Sequence, residues 1–390
     1  MKHSFLPRLT CPISGGDLRM HSFETEVIDV DGVSTIVTKE GILISESERI
    51  WYPISNYVPV LLTFRTPFHD WFYASHKEQC AGFSDYRMPD RACEQGEQFI
   101  QKSFTEQWNL TQESALSFVR TDDDLVTLNR HVWLRWIEAG QEFDSVLNVG
   151  CGIGQETMAL REVVTAKEIF AVDLNFALLQ AGSRYRNVGN VQFVVCSLFH
   201  LPFRKASFDL VYSQGVIHHT WSTHAAFQSI ASFVAADGYL FIWVYALDDH
   251  LLLTNSTGQS WKTMVTHVAK RLQYQMEWLI RPWLGRSPSI IRRAVIWLLA
   301  SVLHPLVRLR VLHRNLWMRS NTRHSLSDWL TPAYAFRHST NEVVEWYEEL
   351  NFKIVSVQSS KAHKHYFAGK EVTGIGLTGQ RIDQTFEVPL

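Results

Sequence analysis

No apolar run in this 390-residue chain is long enough to cross a bilayer. The longest, Ala294 to Leu303, ends at His304 and Pro305, short of the roughly 18 to 20 residues a spanning helix needs. The first residues lack the continuous apolar stretch of a secretion signal, because Pro7, Arg8 and Thr10 interrupt it. Cysteine is scarce: Cys11, Cys80, Cys93, Cys151 and Cys196 are odd in number and show no CxxC spacing. That excludes a disulfide scaffold and suits a reducing compartment, so the expected location is the cytoplasm. Charged residues are only 19% of the chain and the formal net charge is −2, which argues against disorder. The balance does not point to nucleic acid, although it leaves nucleic acid open as a partner. Acids, in turn, nearly vanish from one segment. Between Trp261 and Arg323 twelve Lys or Arg face a single Glu277, a local net of +11 that leaves −13 for the remainder.

What is present is apolar material, 46% of the residues, enough for more than one domain. Residues 1–63 alternate short apolar runs with turn residues such as Gly15-Gly16 and Asp31-Gly32, the pattern of a small β-rich unit. Residues 64–124 are polar and aromatic without a sustained period apart from Phe104 to Trp108, and are expected to form a linker with short helices that covers a site. From Leu125 a helix at Leu125, Leu128, Val132 and Trp136 leads into alternating strand and helix signals. Strands are expected near Ser145 to Val149, Glu168 to Val172, Val191 to Val195, Phe208 to Ser213 and Tyr239 to Val244. That order predicts a parallel sheet with helices on both faces. A helical insertion at 248–330 precedes a last helix at Asn341 to Leu350 and a strand at Lys353 to Val357.

The segment Ser145 to Glu156 carries an apolar strand into Gly150-Cys151-Gly152-Ile153-Gly154, a turn in which glycine lets the backbone bend tightly and a ligand approach closely. Alone this is a weak signal, since a tight turn without a ligand has the same form. The next strand, however, ends at Asp173, nineteen residues after Gly154. A carboxylate there can accept from both hydroxyls of a ribose, which fits any adenosine cofactor. A nicotinamide-dependent dehydrogenase shares these features, but the glycines here read GxGxG rather than GxGxxG.

Three further stretches separate the candidates: Val191 to Phe203, Ser207 to Ser213, and Gly215-Val-Ile-His-His-Thr220. With them the chain resembles the class I S-adenosylmethionine-dependent methyltransferases, above all the branch with quinone-biosynthesis and small-molecule enzymes. The resemblance covers 141–246, and 331–358 more loosely. It implies an α/β, doubly wound, Rossmann-like seven-stranded sheet with a small β-rich N-terminal domain and a helical insertion, residues 125–390 forming the methyltransferase domain. It implies S-adenosylmethionine as cofactor, with Gly150, Cys151, Gly152 and Gly154 at its methionine and ribose portion and Asp173 on the ribose. Leu174 would flank the adenine, Leu198 is a further cofactor-binding position, and Gln214 would face the methionine. Asn148 and Ser197 depart from the family, which has acids at these positions, so a catalytically silent binding or scaffold subunit remains an alternative. His218 and His219 are the candidate general bases, since a neutral imidazole accepts a proton near pH 7. Residues 1–63 resemble the zinc-ribbon-like domain that activates or is fused to methyltransferases. With Cys11 alone among its thiolate positions, no zinc is expected.

The basic insertion admits three readings: peripheral membrane or lipid-linked acceptor contact through 261–323, an anionic small-molecule acceptor, or an apolar core with a solvated cationic face. Trp278, Trp283, Trp297 and Trp317 among the arginines favour the first.

Overall fold

A computed structural model describes residues 1–30, 32–113, 121–247, 275, 277–308, 326–327, 330–367 and 374–382, without the side chains of 110–113 and 303–308. The insertion calls at Lys262, Lys270, Arg271, Arg310, Arg314, Trp317, Arg319 and Arg323 lie outside these residues.

Strands β1 (Arg19–Val30), β2 (Val33–Ser45), β3 (Ile50–Ser55) and β4 (Val58–Pro59) form an antiparallel sheet in sequential order. Helices α1 (Pro67–Ser75), α2 (Lys77–Cys80), α3 (Glu97–Glu113) and α4 (Asp122–Leu128) follow. The segment expected to hold short helices thus contains a 17-residue one, α3. Its inward positions Glu97, Ser103 and Gln107 are polar yet buried, so no apolar period reveals it.

The second sheet uses β5 (Glu142–Val149), β6 (Thr165–Asp173), β7 (Val191–Val195), β8 (Phe208–Gln214), β9 (Val234–Val244), β10 (Phe352–Val357) and β11 (Ile375–Arg381). Helices α5 (Gln155–Arg161), α6 (Leu179–Arg184), α7 (Thr223–Ala231), α8 (Ser289–Arg308), α9 (Thr340–Glu349) and α10 (Ser360–Tyr366) accompany it. The strand order is β10-β11-β9-β8-β5-β6-β7. Strands β5 to β9 run parallel, and β11 is antiparallel to both β9 and β10. This is the seven-stranded Rossmann-like sheet. The sequence reading missed β11, whose Gly376, Thr378 and Gly379 interrupt an apolar pattern. Gly379 is required because a Cβ there would lie 2.4 Å from the Tyr347 ring. The Tyr347 hydroxyl stands 3.1 and 3.0 Å from the carbonyl oxygens of Leu240 and Leu377, sharing one proton between β9 and β11.

Because side chains alternate across a strand, each parallel strand feeds two cores. Leu147, Phe170, Val172 and Val194 join one; Val146, Ile169, Ala171 and Val195 join the other. The N-terminal sheet has no separate core on that first side, since Phe5, Leu43, Tyr52 and Leu61 belong to the same cluster as Phe170. Backbone links reinforce this: the Leu61 N–H donates to the Val195 carbonyl at 2.7 Å. No described helix is long and apolar enough to cross a membrane.

Candidate active site at the carboxyl edge of the sheet

Ligands of open α/β sheets bind where neighbouring strands send their connections to opposite faces, which here lies at the carboxyl ends of β5 and β8. From β5 the chain turns through Gly150, Gly152 and Gly154, all at positive φ (82°, 60° and 88°). The N–H groups of Gly150 and Cys151 both donate to the Val172 carbonyl, at 2.8 and 3.1 Å, folding the loop onto the end of β6. A Cβ at Gly150 would lie 2.1 Å from Val216, so the loop also packs directly on the segment after β8.

Asp173 locks this loop. Its Oδ2 accepts from the Gly152 N–H at 2.8 Å, and its Oδ1 from the Asn175 N–H at 2.9 Å. Asn175 closes the ring: its side-chain amide donates to the Gly152 carbonyl at 3.1 Å while its Oδ1 accepts from the Leu178 N–H. Burial pushes the Asp173 carboxyl above its ordinary value, against the pull of the Asn175 and Gly152 N–H donors. A carboxylate offers about four lone-pair positions, so two backbone bonds leave acceptor capacity for a vicinal diol. Asn175 was not anticipated from sequence. Its signal is a side-chain cap, two residues past the acid, on the short 3-10 turn Phe176–Leu178.

The other predicted positions surround this lock. Asn148 is buried beneath the loop, donating to Thr157 Oγ1 at 3.0 Å, and its Oδ1 has no hydrogen-bond partner among the described residues. The Cys151 side chain points into a core cluster, where burial raises its thiol pKa, so its backbone rather than its sulfur belongs to the loop. Leu174 and Leu198 are half-buried on either side of the β6 and β7 ends. Gln214 ends β8 and is half-buried. Ser197 is buried after β7.

Helix α3, from the covering segment, lies across this edge. A Cβ on Gly152 would meet the Trp108 ring at 2.6 Å. Thr105 Oγ1 accepts from the Phe176 N–H at 3.0 Å. The Phe104 and His219 rings pack edge to face with centroids 5.4 Å apart. Trp108 lies more than forty positions upstream of the loop it covers, with no local pattern that links the two.

The two histidines differ. His219 Nδ1 is 2.8 Å from the Tyr334 carbonyl oxygen. A carbonyl only accepts, so the hydrogen-bond network assigns the proton to Nδ1 and leaves the Nε2 lone pair as acceptor. His218 is fully buried and neither ring nitrogen has a hydrogen-bond partner among the described residues. Burial, with the neighbouring His219, His338, Arg337 and Arg281, holds its pKa well below the usual value and keeps the ring neutral. Its ring lies tilted against that of Tyr245, centroids 4.0 Å apart, and the Arg337 guanidinium lies 5.3 Å from the same tyrosine ring.

Two arginines of the insertion are not solvated. Arg281 and Arg337 both reach Glu277 Oε2 at 3.3 Å. Arg292 is buried and donates to Glu106 Oε2 at 2.6 Å and to the Gly285 and Ser287 carbonyls. Arg292 is therefore part of neither a solvated nor a membrane-facing cationic face: it fastens α8 to α3. Cys11 is also inside, 3.4 Å from the Tyr52 hydroxyl. No group of three or more His, Cys, Asp or Glu among the described residues is arranged to hold a metal ion.

Comparison with known proteins agrees on the central segment. Residues 147–242 match the family model described as a methyltransferase domain. A curated relative, an uncharacterized protein of Synechococcus sp., is 31% identical over 105 residues, 26% of this chain and 25% of that protein. The chain therefore spans about a quarter of the length of the curated relative it matches. Among solved structures, the complex between the Haloferax volcanii Trm112 methyltransferase activator and a candidate methyltransferase is 13% identical over 72% of this chain and 97% of that one, with a TM-score of 0.42. A Burkholderia thailandensis 1,6-didemethyltoxoflavin-N1-methyltransferase with bound 1,6-didemethyltoxoflavin and S-adenosylhomocysteine is 15% identical over 75% and 93% of the two chains, with a TM-score of 0.41. The stretch that matches the methyltransferase domain model, residues 147–242, runs from β5 to β9 of the seven-stranded Rossmann-like sheet.

Proposed function

We propose that the chain transfers the methyl group of S-adenosylmethionine to a small-molecule or lipid-associated, anionic acceptor. The observation that carries this reading is the Asp173 lock, a half-buried carboxylate with spare acceptor capacity fixed against a glycine turn at the switch point of the sheet. The residues fit the donor: Asp173 would take the ribose hydroxyls, the Gly150 to Gly154 backbone the methionine portion, and Leu174 and Leu198 the base. The donor supplies an electrophilic methyl on a sulfonium, so the protein's task is to align the acceptor with it and exclude water. His219 Nε2 would take the acceptor's proton, with Nδ1–H held by the Tyr334 carbonyl. Calorimetry with S-adenosylhomocysteine and NAD tests the reading: binding of the first alone supports it, and binding of NAD alone overturns it. The catalytically silent alternative draws on Ser197 and Asn148, and fails once an acceptor is found labelled by a methyl-tritiated donor.

His219→Gln is expected to lower kcat about 100-fold or more while leaving S-adenosylhomocysteine affinity unchanged, the scale of a lost general base. An unchanged kcat removes His219 from proton transfer.

The anionic acceptor is supported by Arg281 and Arg337 behind Tyr245 and His218. A lipid link is supported by the outer face of the insertion, where Trp278, Trp283, Ile290, Trp297 and Leu298 are each more than half exposed beside exposed Arg286 and Arg293. We expect co-sedimentation with vesicles of anionic lipid that weakens but survives at high salt, because charge attraction is screened and tryptophan burial is not. Trp278→Ser, Trp283→Ser and Trp297→Ser together should abolish it; no sedimentation by the unmodified protein removes the membrane reading. For residues 1–63 the zinc-ribbon-like ancestry without zinc remains part of this proposal.

A further inference from the structure

Class I methyltransferases place an acid after the third strand, and this chain has Ser197 there, buried and followed by Leu198. The vacancy is one of charge only. Glu97 of α3 is buried, with its carboxylate beside the Ser197 hydroxyl, which favours the ionised form; the start of α3 is held to the same stretch after β7 by Glu94 Oε1, 3.6 Å from His200 Nε2. Glu97 Oε2 accepts from the Glu94 N–H at 3.1 Å, capping the start of α3 and fixing the side chain. Ser197 Oγ accepts from the Phe199 N–H at 3.1 Å, so its proton is directed to Glu97. The Cys196 thiol, next in the chain to Ser197, is raised by burial and then by the Asp173 and Glu97 carboxylates. The two carboxylates therefore flank the end of β7, one on the β6 side and one on α3. On α3 itself, Glu97, Phe104, Thr105 and Trp108 share one face, at i, i+7, i+8 and i+11. That face touches Ser197, His219, Phe176 and Gly152 in turn.

We propose that Glu97 is the purine-recognising acid of this protein, supplied by the covering helix in place of the strand-borne acid that Ser197 has lost. This rests on the methyl-donor reading above. A nucleoside anchored by its ribose on Asp173 directs its base along the β7 end, past Leu174 and Leu198, to the Glu97–Ser197 pair. The adenine amino group is a donor and a carboxylate accepts from it. A 6-oxo purine presents a carbonyl lone pair at that place, which a carboxylate repels. Burial raises the Glu97 pKa, and the Ser197 and Glu94 hydrogen bonds oppose that rise. Because Glu97 and Trp108 ride on one helix, base recognition and closure over Gly152 are made by a single element.

The test is equilibrium binding of S-adenosylhomocysteine and its 6-oxo analogue, S-inosylhomocysteine, to the full chain. The unmodified protein is expected to prefer the adenosyl ligand by about tenfold or more, the scale of a hydrogen bond to a charged group. Glu97→Gln keeps the cap to Glu94 but offers a donor as well as an acceptor, so the preference should shrink to about threefold or less. Ser197→Ala should retain the preference, since the carboxylate stays. Glu97→Ala combined with Ser197→Asp, which returns an acid to the strand, should restore what Glu97→Ala removes. A preference that is absent from the unmodified protein, unaffected by Glu97→Gln, or lost in Ser197→Ala overturns the assignment while leaving the methyl-donor reading intact. Failure of S-adenosylhomocysteine to bind the unmodified protein overturns both.

Discussion

Asp173→Ala is expected to weaken S-adenosylhomocysteine binding by about 10- to 100-fold, measured by calorimetry on protein shown to be folded by its melting transition. Two losses add. The ribose hydroxyls lose their acceptor, and the Gly152 and Asn175 N–H groups lose the oxygens at 2.8 and 2.9 Å that hold them. The Asn175 amide on the Gly152 carbonyl and the Trp108 ring over Gly152 remain, so the loop is loosened rather than lost. Asp173→Asn separates the two terms. Its remaining carbonyl oxygen keeps one backbone bond, whereas its amide opposes the other N–H, so affinity should fall between that of the alanine variant and the unmodified protein. Unchanged affinity in folded Asp173→Ala takes Asp173 out of the site.

A larger effect on stability is expected at a glycine far from that loop. Gly182 lies in α6, and a Cβ there would stand 1.9 Å from the Asn56 carbonyl oxygen and 2.6 Å from Val58. The obstacle is backbone and cannot rotate away. Asn56 and Tyr57 form the two-residue β3–β4 turn, both at positive φ (49° and 68°), the geometry of a tight hairpin. The turn is held on several sides: the Tyr57 N–H donates to the Lys39 carbonyl at 3.0 Å, and Gln192 Nε2 donates to the Tyr57 carbonyl at 3.2 Å. Gly182→Ala must therefore push α6 and the N-terminal sheet apart, costing about 3 kcal/mol in a chemical denaturation experiment. Gly82→Ala, with nothing within 4 Å and an exposed position, is the control and should stay within about 0.5 kcal/mol. A Gly182→Ala variant as stable as the control refutes the contact between α6 and the β3–β4 turn.

The legible parts of the fold were those where a single strand or helix carries its own evidence. Val191 to Val195 is buried at every position and reads as a buried strand without help from neighbours. The Gly150 to Gly154 turn and Asp173 were legible for a similar reason, since backbone conformation and a carboxylate at a strand end are local demands. Glu97 and Trp108 were not legible. Their partners Ser197 and Gly152 are distant in sequence, and a helix that covers a polar site shows the polar inner face of an exposed helix. Nor was the role of Arg292 legible, for the converse reason. A guanidinium on an apolar helix looks like a surface cation until its partner Glu106, on another element, is in view.

The placement of β11 has a consequence for how the molecule is made. Strand β9 is a central strand whose free side pairs with β11, Trp243 lying opposite Gly376, yet the whole insertion and α9 are synthesised between the two. While the ribosome is extending that stretch, the completed parallel strands present β9 as an unpaired edge carrying Leu240, Ile242 and Val244, a template for wrong partners. Pairing of such remote segments also carries a large loop-closure cost and is slow. Removal of β11 therefore exposes the middle of the sheet rather than trimming its rim, and leaves β9 and β10 without the partner they share.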